Sequence, residues 1–203
     1  LEIDNLLVIR GDNMPGEKYF RPEPDGHHYA IDLVKQIIDM NNGVYLDEEL
    51  QNSNPTTFSV GVAGYPEKHL ESPNKASDIK FLKDKVKAGA EYIVTQMFFN
   101  NQDFFDFEES CRKAGITVPI IPGLKPLATR AQMTGLPKVF NIDLPEALVK
   151  ETLKCKNNKE VKQVGIEWAI EQSKELVKFG VPVLHFYSMS RPDNIRAIAK
   201  EVF

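Results

Sequence analysis

The 203-residue chain is 42% hydrophobic and 27% charged, with 12 glycines and 13 prolines, a balance that excludes a disordered or collagen-like polypeptide. Its 29 acidic side chains outnumber 25 basic ones, leaving a net charge of −4, so nothing draws it generally to nucleic-acid phosphates or anionic lipid. The apolar runs are far shorter than the roughly 20 residues of a bilayer span and no signal segment opens the chain; Cys111 and Cys155 stand in no metal-ligand spacing and read as reduced thiols, so a cytoplasmic protein without structural zinc is expected.

The first element is an apolar strand, Leu6 to Ile9. A polar connection, Asn13 to Gly26, leads to a helix over Tyr29 to Met40, where Ile31, Val34, Ile37 and Ile38 keep the 3.6-residue period of one buried side. A second polar stretch, Asp47 to Thr57, precedes the strand Phe58 to Ala63; both connections are long enough to be functional loops or merely mobile ones. A helix from about Asp78 to Ala88, striped by Ile79, Leu82 and Val86, precedes the strand Tyr92 to Thr95. A helix over Gln102 to Ala114 then precedes the strand Val118 to Ile121. Ala128 to Leu153 is less regular and reads as two short helices broken at Pro137 and Pro145. A long helix, Lys159 to Phe179, runs through Val161, Val164, Trp168, Ala169 and Leu176, and the last strand covers Val183 to Phe186. Three helices end in a base followed by glycine, at Lys87-Ala88-Gly89, Lys113-Ala114-Gly115 and Lys178-Phe179-Gly180. The base suits the dipole's negative end and the glycine accepts left-handed backbone.

The strands are apolar at successive positions, the pattern of strands buried on both faces. Their alternation with amphipathic helices indicates a parallel α/β sheet with right-handed crossovers. The fold class expected is α/β, a (βα)8 TIM barrel represented by about five βα units. Strand-to-strand repeats average about 44 residues, so eight would need well over 300, where such barrels typically take about 250. Because the sequence opens almost directly on a buried strand without an initiating methionine, an N-terminal part of the barrel is expected to be missing or carried on another chain. An open doubly wound sheet is the alternative, but it calls for end strands more polar than Leu6 to Ile9 or Val183 to Phe186.

Ligands of parallel α/β proteins bind at the carboxyl ends of the strands. The residues found there are Arg10, Gly11 and Asp12; Tyr65, Glu67 and His69; Gln96; Lys125; and Tyr187, Ser190 and Arg191. The set lacks a serine or cysteine nucleophile with its base, a phosphate-cradling glycine loop and a metal-ligand cluster, which disfavours hydrolysis and kinase chemistry. Guanidinium, amide, phenol and imidazole groups spread over several strands suit a large planar cofactor and a polar heteroaromatic substrate.

Several stretches are more specific. Arg10-Gly11-Asp12, His28-Tyr29-Ala30-Ile31-Asp32-Leu33-Val34 and Val62-Ala63-Gly64-Tyr65-Pro66-Glu67-Lys68-His69 resemble the methylenetetrahydrofolate reductase family. So do Leu82 through Ala90, Ile93-Val94-Thr95-Gln96-Met97-Phe98-Phe99, Ile120-Ile121-Pro122-Gly123 and Leu184-His185-Phe186-Tyr187-Ser188-Met189-Ser190-Arg191, in the family's order over nearly the whole chain. The resemblance implies one catalytic-type barrel domain over 1–203, holding strands four to eight of the barrel. It implies bound FAD, NADPH or NADH as hydride donor, and reduction of 5,10-methylenetetrahydrofolate to 5-methyltetrahydrofolate in one-carbon metabolism and methionine biosynthesis, with the nicotinamide and the folate alternating at one flavin face. It also implies a tendency to form homo-oligomers, with no nucleic-acid or membrane partner. The family's catalytic glutamate belongs to strands this sequence lacks, so the polypeptide alone is expected to have little or no reductase activity. A non-catalytic half-barrel module that binds flavin or a partner, and a different flavin or pterin barrel enzyme, are the alternatives.

By the same resemblance, the catalytic positions are Asp12, beside flavin and pterin, and Gln96, whose amide offers both donor and acceptor. Asp12 otherwise belongs to a Gly-Asp-Asn turn, and Gln96 otherwise caps its strand. FAD contacts fall on Arg10, Gly11 and Asp12, and on Tyr29 and Ala30 at a helix start whose amides suit a pyrophosphate. They fall also on Tyr65, His69 and Ser72, and on Asp78 and Lys85, seven apart on one helical face that otherwise reads as solvated charge. Folate contacts fall on Asp12, Gln96, Gln132 and Arg191, the last suited to a glutamate carboxylate. The chain departs from the family at Leu70, where a proline is usual, at Phe81 and Asp84, and near Leu136, where many members carry an aromatic residue. No metal is expected.

Overall fold

The computed structural model describes residues 3–11, 13–14, 16–17, 20–189 and 192–203. The five apolar runs pair into one parallel sheet: β1 (Asn5–Val8), β2 (Ser59–Gly64), β3 (Tyr92–Met97), β4 (Ile120–Leu124) and β5 (His185–Phe186). Their spatial order is their chain order, β1-β2-β3-β4-β5. A doubly wound sheet reverses direction at an inner strand; no reversal occurs here, and the sheet is a curled half-barrel. Helices α1 (Ala30–Asn41), α2 (Lys75–Lys87) and α3 (Asn101–Lys113) link the first four strands. Then α4 (Gln132–Phe140), α5 (Glu146–Lys154) and α6 (Asn158–Phe179) lead to β5, and α7 (Pro192–Val202) follows it. No helix of the described residues is long and apolar enough to cross a membrane.

Local chemistry sets the helix ends. Asn74, Asn100 and Asn157 lie in extended backbone before α2, α3 and α6, and each side chain accepts a first-turn N–H, the bond that satisfies an otherwise orphaned donor. Gly180 closes α6 with φ of 106°, a conformation that glycine adopts without the Cβ penalty.

Four expectations are corrected. β4 begins at Ile120 rather than Val118, because the Ile116 and Val118 carbonyls each accept from Arg112 Nη1 at 2.9 Å instead of joining the ladder. Burial on both faces holds for β2 to β4 but not for the end strands: Leu7 is 41% exposed and Val183 52%, and β5 shortens to two residues. Pro137 lies inside α4, seated there by the packing of Leu136, and the helix ends instead at Asn141, with φ of 52°. The helix α7 was not anticipated, although Pro192 at its first position and the Ile195, Ile198, Val202 stripe are its sequence signals.

Two core layers matter for the site. Val8, Val60, Val62, Ile93 and Ile120 pack against Val34 and Ile37 of α1, Leu82 of α2 and Phe104 and Phe107 of α3. Met97, Phe99, Leu127, Leu136, Leu148 and Val161 form a second cluster that seats α4, α5 and α6 over the carboxyl end of β3. Each fully buried side chain of this size is worth about 1.5–3 kcal/mol, so both layers stabilise the strand ends.

Candidate functional site

Val60 and Val62 face the helices, so by the two-residue period Gly61 and Ala63 face the concave side of the sheet. Tyr92 crosses Gly61 there: a Cβ on that glycine would lie 2.1 Å from the ring. Its hydroxyl donates to the Leu6 carbonyl at 3.1 Å, so one side chain ties β3 to β1 over the intervening strand. Tyr187 repeats the device over Gly123, 2.7 Å from a Cβ built there, and donates to the Thr95 carbonyl at 2.8 Å. Burial raises both phenols above their ordinary pKa, so they remain donors at neutral pH. His185 meets the Tyr187 ring edge-on at 4.8 Å, and Lys125, 9% exposed, reaches the Tyr187 carbonyl at 3.5 Å.

The loops after β1 and β2 interlock. Arg10 pairs with Glu71 at 2.7 Å and lies 4.9 Å over the Phe20 ring. Asp78 of α2 accepts from the His69 N–H at 3.0 Å through Oδ2 and from the buried Ser72 hydroxyl at 2.8 Å through Oδ1. Lys68 donates to the carbonyls of His69 and Ser72 at 3.0 and 2.6 Å. Tyr65 meets the His69 ring edge-on at 4.7 Å. His69 Nδ1 accepts the Glu71 N–H at 3.1 Å, which assigns the ring proton to Nε2 in the neutral form. Burial lowers the His69 pKa against the pull of Asp78 and Glu71, so the neutral form prevails at pH 7. Lys85 donates to the Ala63 carbonyl at 2.7 Å, and burial brings its ammonium down to about 8.

The structure thus joins Arg10, Tyr65, His69, Ser72, Asp78 and Lys85 in one continuous network at the carboxyl ends of β1 and β2. Asp78 and Lys85 are not a solvated charged face; Asp78 holds the loop and Lys85 is tied to the end of β2. Gly11 has the Phe20 ring at 3.5 Å from a built Cβ, and no positive φ. Tyr29, 62% exposed, is the N-cap of α1, bridged by Asp32, with Ala30 the first helical residue.

Gln96 is half-buried in the irregular part of β3, where the register with β4 shifts between Val94 and Met97. Bulges of this kind re-aim side chains beside sites. Its Oε1 accepts the Met97 N–H at 2.9 Å, leaving its NH2 to donate elsewhere. Gln132 opens α4 and its Oε1 accepts from Ala128 and Thr129 at 2.7 and 3.2 Å, again through the carbonyl oxygen only. Leu136 is 7% exposed and sits in the second core cluster. Asp12, Ser190 and Arg191 lie outside the described residues.

Sequence reasoning missed Glu71, Phe20 and Lys68, whose contacts with Arg10 or across the loop leave no local signature. Among the described residues no group of three or more His, Cys, Asp or Glu can hold a metal. Burial raises the Cys111 thiol to about 12, which removes it as a nucleophile. What the rim offers is hydrogen bonding and charge around a space, chemistry that binds and orients a ligand.

Residues 1–202 match the family model described as methylenetetrahydrofolate reductase. A protein of Caenorhabditis elegans named probable methylenetetrahydrofolate reductase (NADPH) is 32% identical over 201 residues, 98% of this chain and 28% of its own length. A 5,10-methylenetetrahydrofolate reductase of Buchnera aphidicola is 32% identical over 199 residues, 98% of this chain and 60% of its own length. Among solved structures, a Clostridium thermocellum protein described as binding two copies of 5-methyl-5,6,7,8-tetrahydrofolic acid aligns with a TM-score of 0.48 and 19% identity, over 72% of this chain and 53% of that one. The chain spans less than two thirds of the length of both curated relatives.

Proposed function

The chain belongs to the methylenetetrahydrofolate reductase family, and on that premise we propose that it forms the flavin- and folate-binding rim of an enzyme reducing 5,10-methylenetetrahydrofolate to 5-methyltetrahydrofolate with NADPH or NADH. The observation that carries this reading is the interlock of the β1 and β2 loops, which leaves unused donors at the carboxyl rim. The His69 Nε2–H, the Arg10 guanidinium N–H groups left over from its pair with Glu71, the α1 amides behind Tyr29 and the side-chain-free backbone at Gly11 fit the pyrophosphate and sugars of FAD. Bound FAD would supply the hydride transfer between nicotinamide and folate. Asp78 and Ser72 hold the loop that presents His69 and Tyr65, and Lys85 braces the end of the strand that precedes it. Gln96 and Gln132, each with its carbonyl oxygen committed to backbone, present NH2 groups to acceptor atoms of the folate. By the family resemblance, Asp12 and Arg191 are further folate contacts. The remaining barrel strands pair along the apolar ends of the sheet, and the two buried free thiols favour a reducing, cytoplasmic setting.

The test uses the full-length protein. Purified protein is expected to show flavin absorbance, to bleach anaerobically with NADPH or NADH, and to recover colour when methylenetetrahydrofolate is added. A folded protein without flavin would instead favour a non-catalytic module. Bleaching without recovery would favour another flavin barrel enzyme. Gln96→Ala is expected to lower kcat/KM for the folate by about 10- to 100-fold, the loss of a ligand hydrogen bond left unpaired, and to lower Tm as well, because the Met97 N–H loses its acceptor.

A further inference from the structure

Glu67 has no part in the interlock just described, yet among the described residues it is the most perturbed carboxyl of the rim. Its Oε2 accepts the Asp143 N–H at 2.7 Å, from the α4–α5 linker 76 residues away. Its Oε1 is buried with no hydrogen-bond partner among the described residues. A second bond joins the same two segments, from Asn141 Nδ2 to the Lys68 carbonyl at 3.5 Å. Between them Ile142, 5% exposed, anchors the linker in the cluster of Met97, Phe99 and Leu136.

We propose that Glu67 is a positioning residue, a proton-dependent clamp that fastens the loop presenting Tyr65 and His69 to the segment following the Gln132 helix, so that the cofactor and substrate sides of the rim keep one spacing. This deepens the function proposed above and rests on it for what the clamp serves, but not for whether the clamp exists. The groups facing Glu67 are Asp143 of the linker, Asp103 at the start of α3, with Asp106 beside it, and Lys75 at the start of α2. Burial pushes the Glu67 carboxyl up to about 7; the Asp143 N–H pulls it down, the charges of Asp103 and Asp143 push it up, and Lys75 pulls it down. The closed clamp therefore holds its proton more tightly than the open one. Its advantage is full below the ordinary carboxylate value of 4.5 and is lost as pH rises through that interval to about 7. Above it, a charged oxygen without a donor faces two other carboxylates, and the linker releases.

Amide hydrogen exchange of the full-length protein at pH 6 and pH 8, corrected for intrinsic rates, reads the clamp without any cofactor. Protection of the Asp143 amide is expected to be about tenfold lower at pH 8 than at pH 6, following the neutral fraction. Glu67→Gln, which keeps the acceptor but cannot ionise, is expected to hold the pH 6 level at both pH values, and in flavin titration at pH 8 to bind FAD more tightly than the parent. Glu67→Ala is expected to be unprotected at both. A pH response that survives in Glu67→Gln, or parental protection in Glu67→Ala, overturns the proposal. The expected exchange pattern in a protein that binds no flavin would support the clamp and overturn the cofactor reading instead.

Discussion

Asp78 shows how much of a binding loop is settled by one side chain. Both its oxygens are committed, one to the His69 N–H and one to the Ser72 hydroxyl. Removing them leaves two donors with partial burial, so Asp78→Ala is expected to cost about 1–3 kcal/mol, measured by urea denaturation. Asp78→Asn, retaining one acceptor, is expected to recover part of that. Lys85 carries the opposite burden, a cation buried against a carbonyl and brought down to about 8. Its unfolded value lies near 10.5, so between about pH 8 and 10.5 the unfolded chain binds more protons and stability rises with pH. Lys85→Met is expected to flatten that rise, as measured by melting temperature across the interval. These residues were visible in the sequence as candidates. Their partners were not, because Arg10–Glu71, Tyr92–Leu6 and Glu67–Asp143 are contacts that only folding brings about.

Among the elements, α6 positions the site from outside the sheet. Gly165 lets it lie directly on the β4–α4 connection, where an added Cβ would come 1.9 Å from the Leu127 carbonyl oxygen. Trp168 Nε1 donates to the Phe99 carbonyl at 2.9 Å, and Gln172 bonds Phe98 and Asn101 at 3.4 and 3.2 Å, so the same helix also grips the end of β3. Gly165→Ala must push helix and loop apart. It is expected to destabilise by about 1–3 kcal/mol or more, the usual cost of overpacking, and to weaken folate binding through displacement of Gln132. Denaturant titration beside a folate-binding titration checks both. The amphipathic period announced α6, but not its close approach to Leu127, which depends on where the helix docks.

At the scale of the whole molecule, the two end strands set the behaviour. Leu7, Ile9 and Val183 are 41%, 60% and 52% exposed on a parallel sheet whose inner strands are buried. Apolar, unpaired edges invite pairing with other chains. The 203-residue chain expressed alone is expected to self-associate, and Leu7→Lys to reduce that association without loss of helical circular dichroism; light scattering decides. Co-expression of strands that pair with these edges is expected to restore a discrete species. The sequence by itself determined five strands and the helices between them, the parallel arrangement and the rim on which the polar residues lie, because those follow from local periodicity, caps and the rule that strand ends carry the loops. Only the tertiary structure decided that the strands run in chain order, that Pro137 stays inside a helix, that Asp78 and Lys85 face inward, and that one oxygen of Glu67 is buried. Each of those depends on which distant groups share one dielectric environment and compete for the same hydrogen bonds, and no local window of residues contains that information.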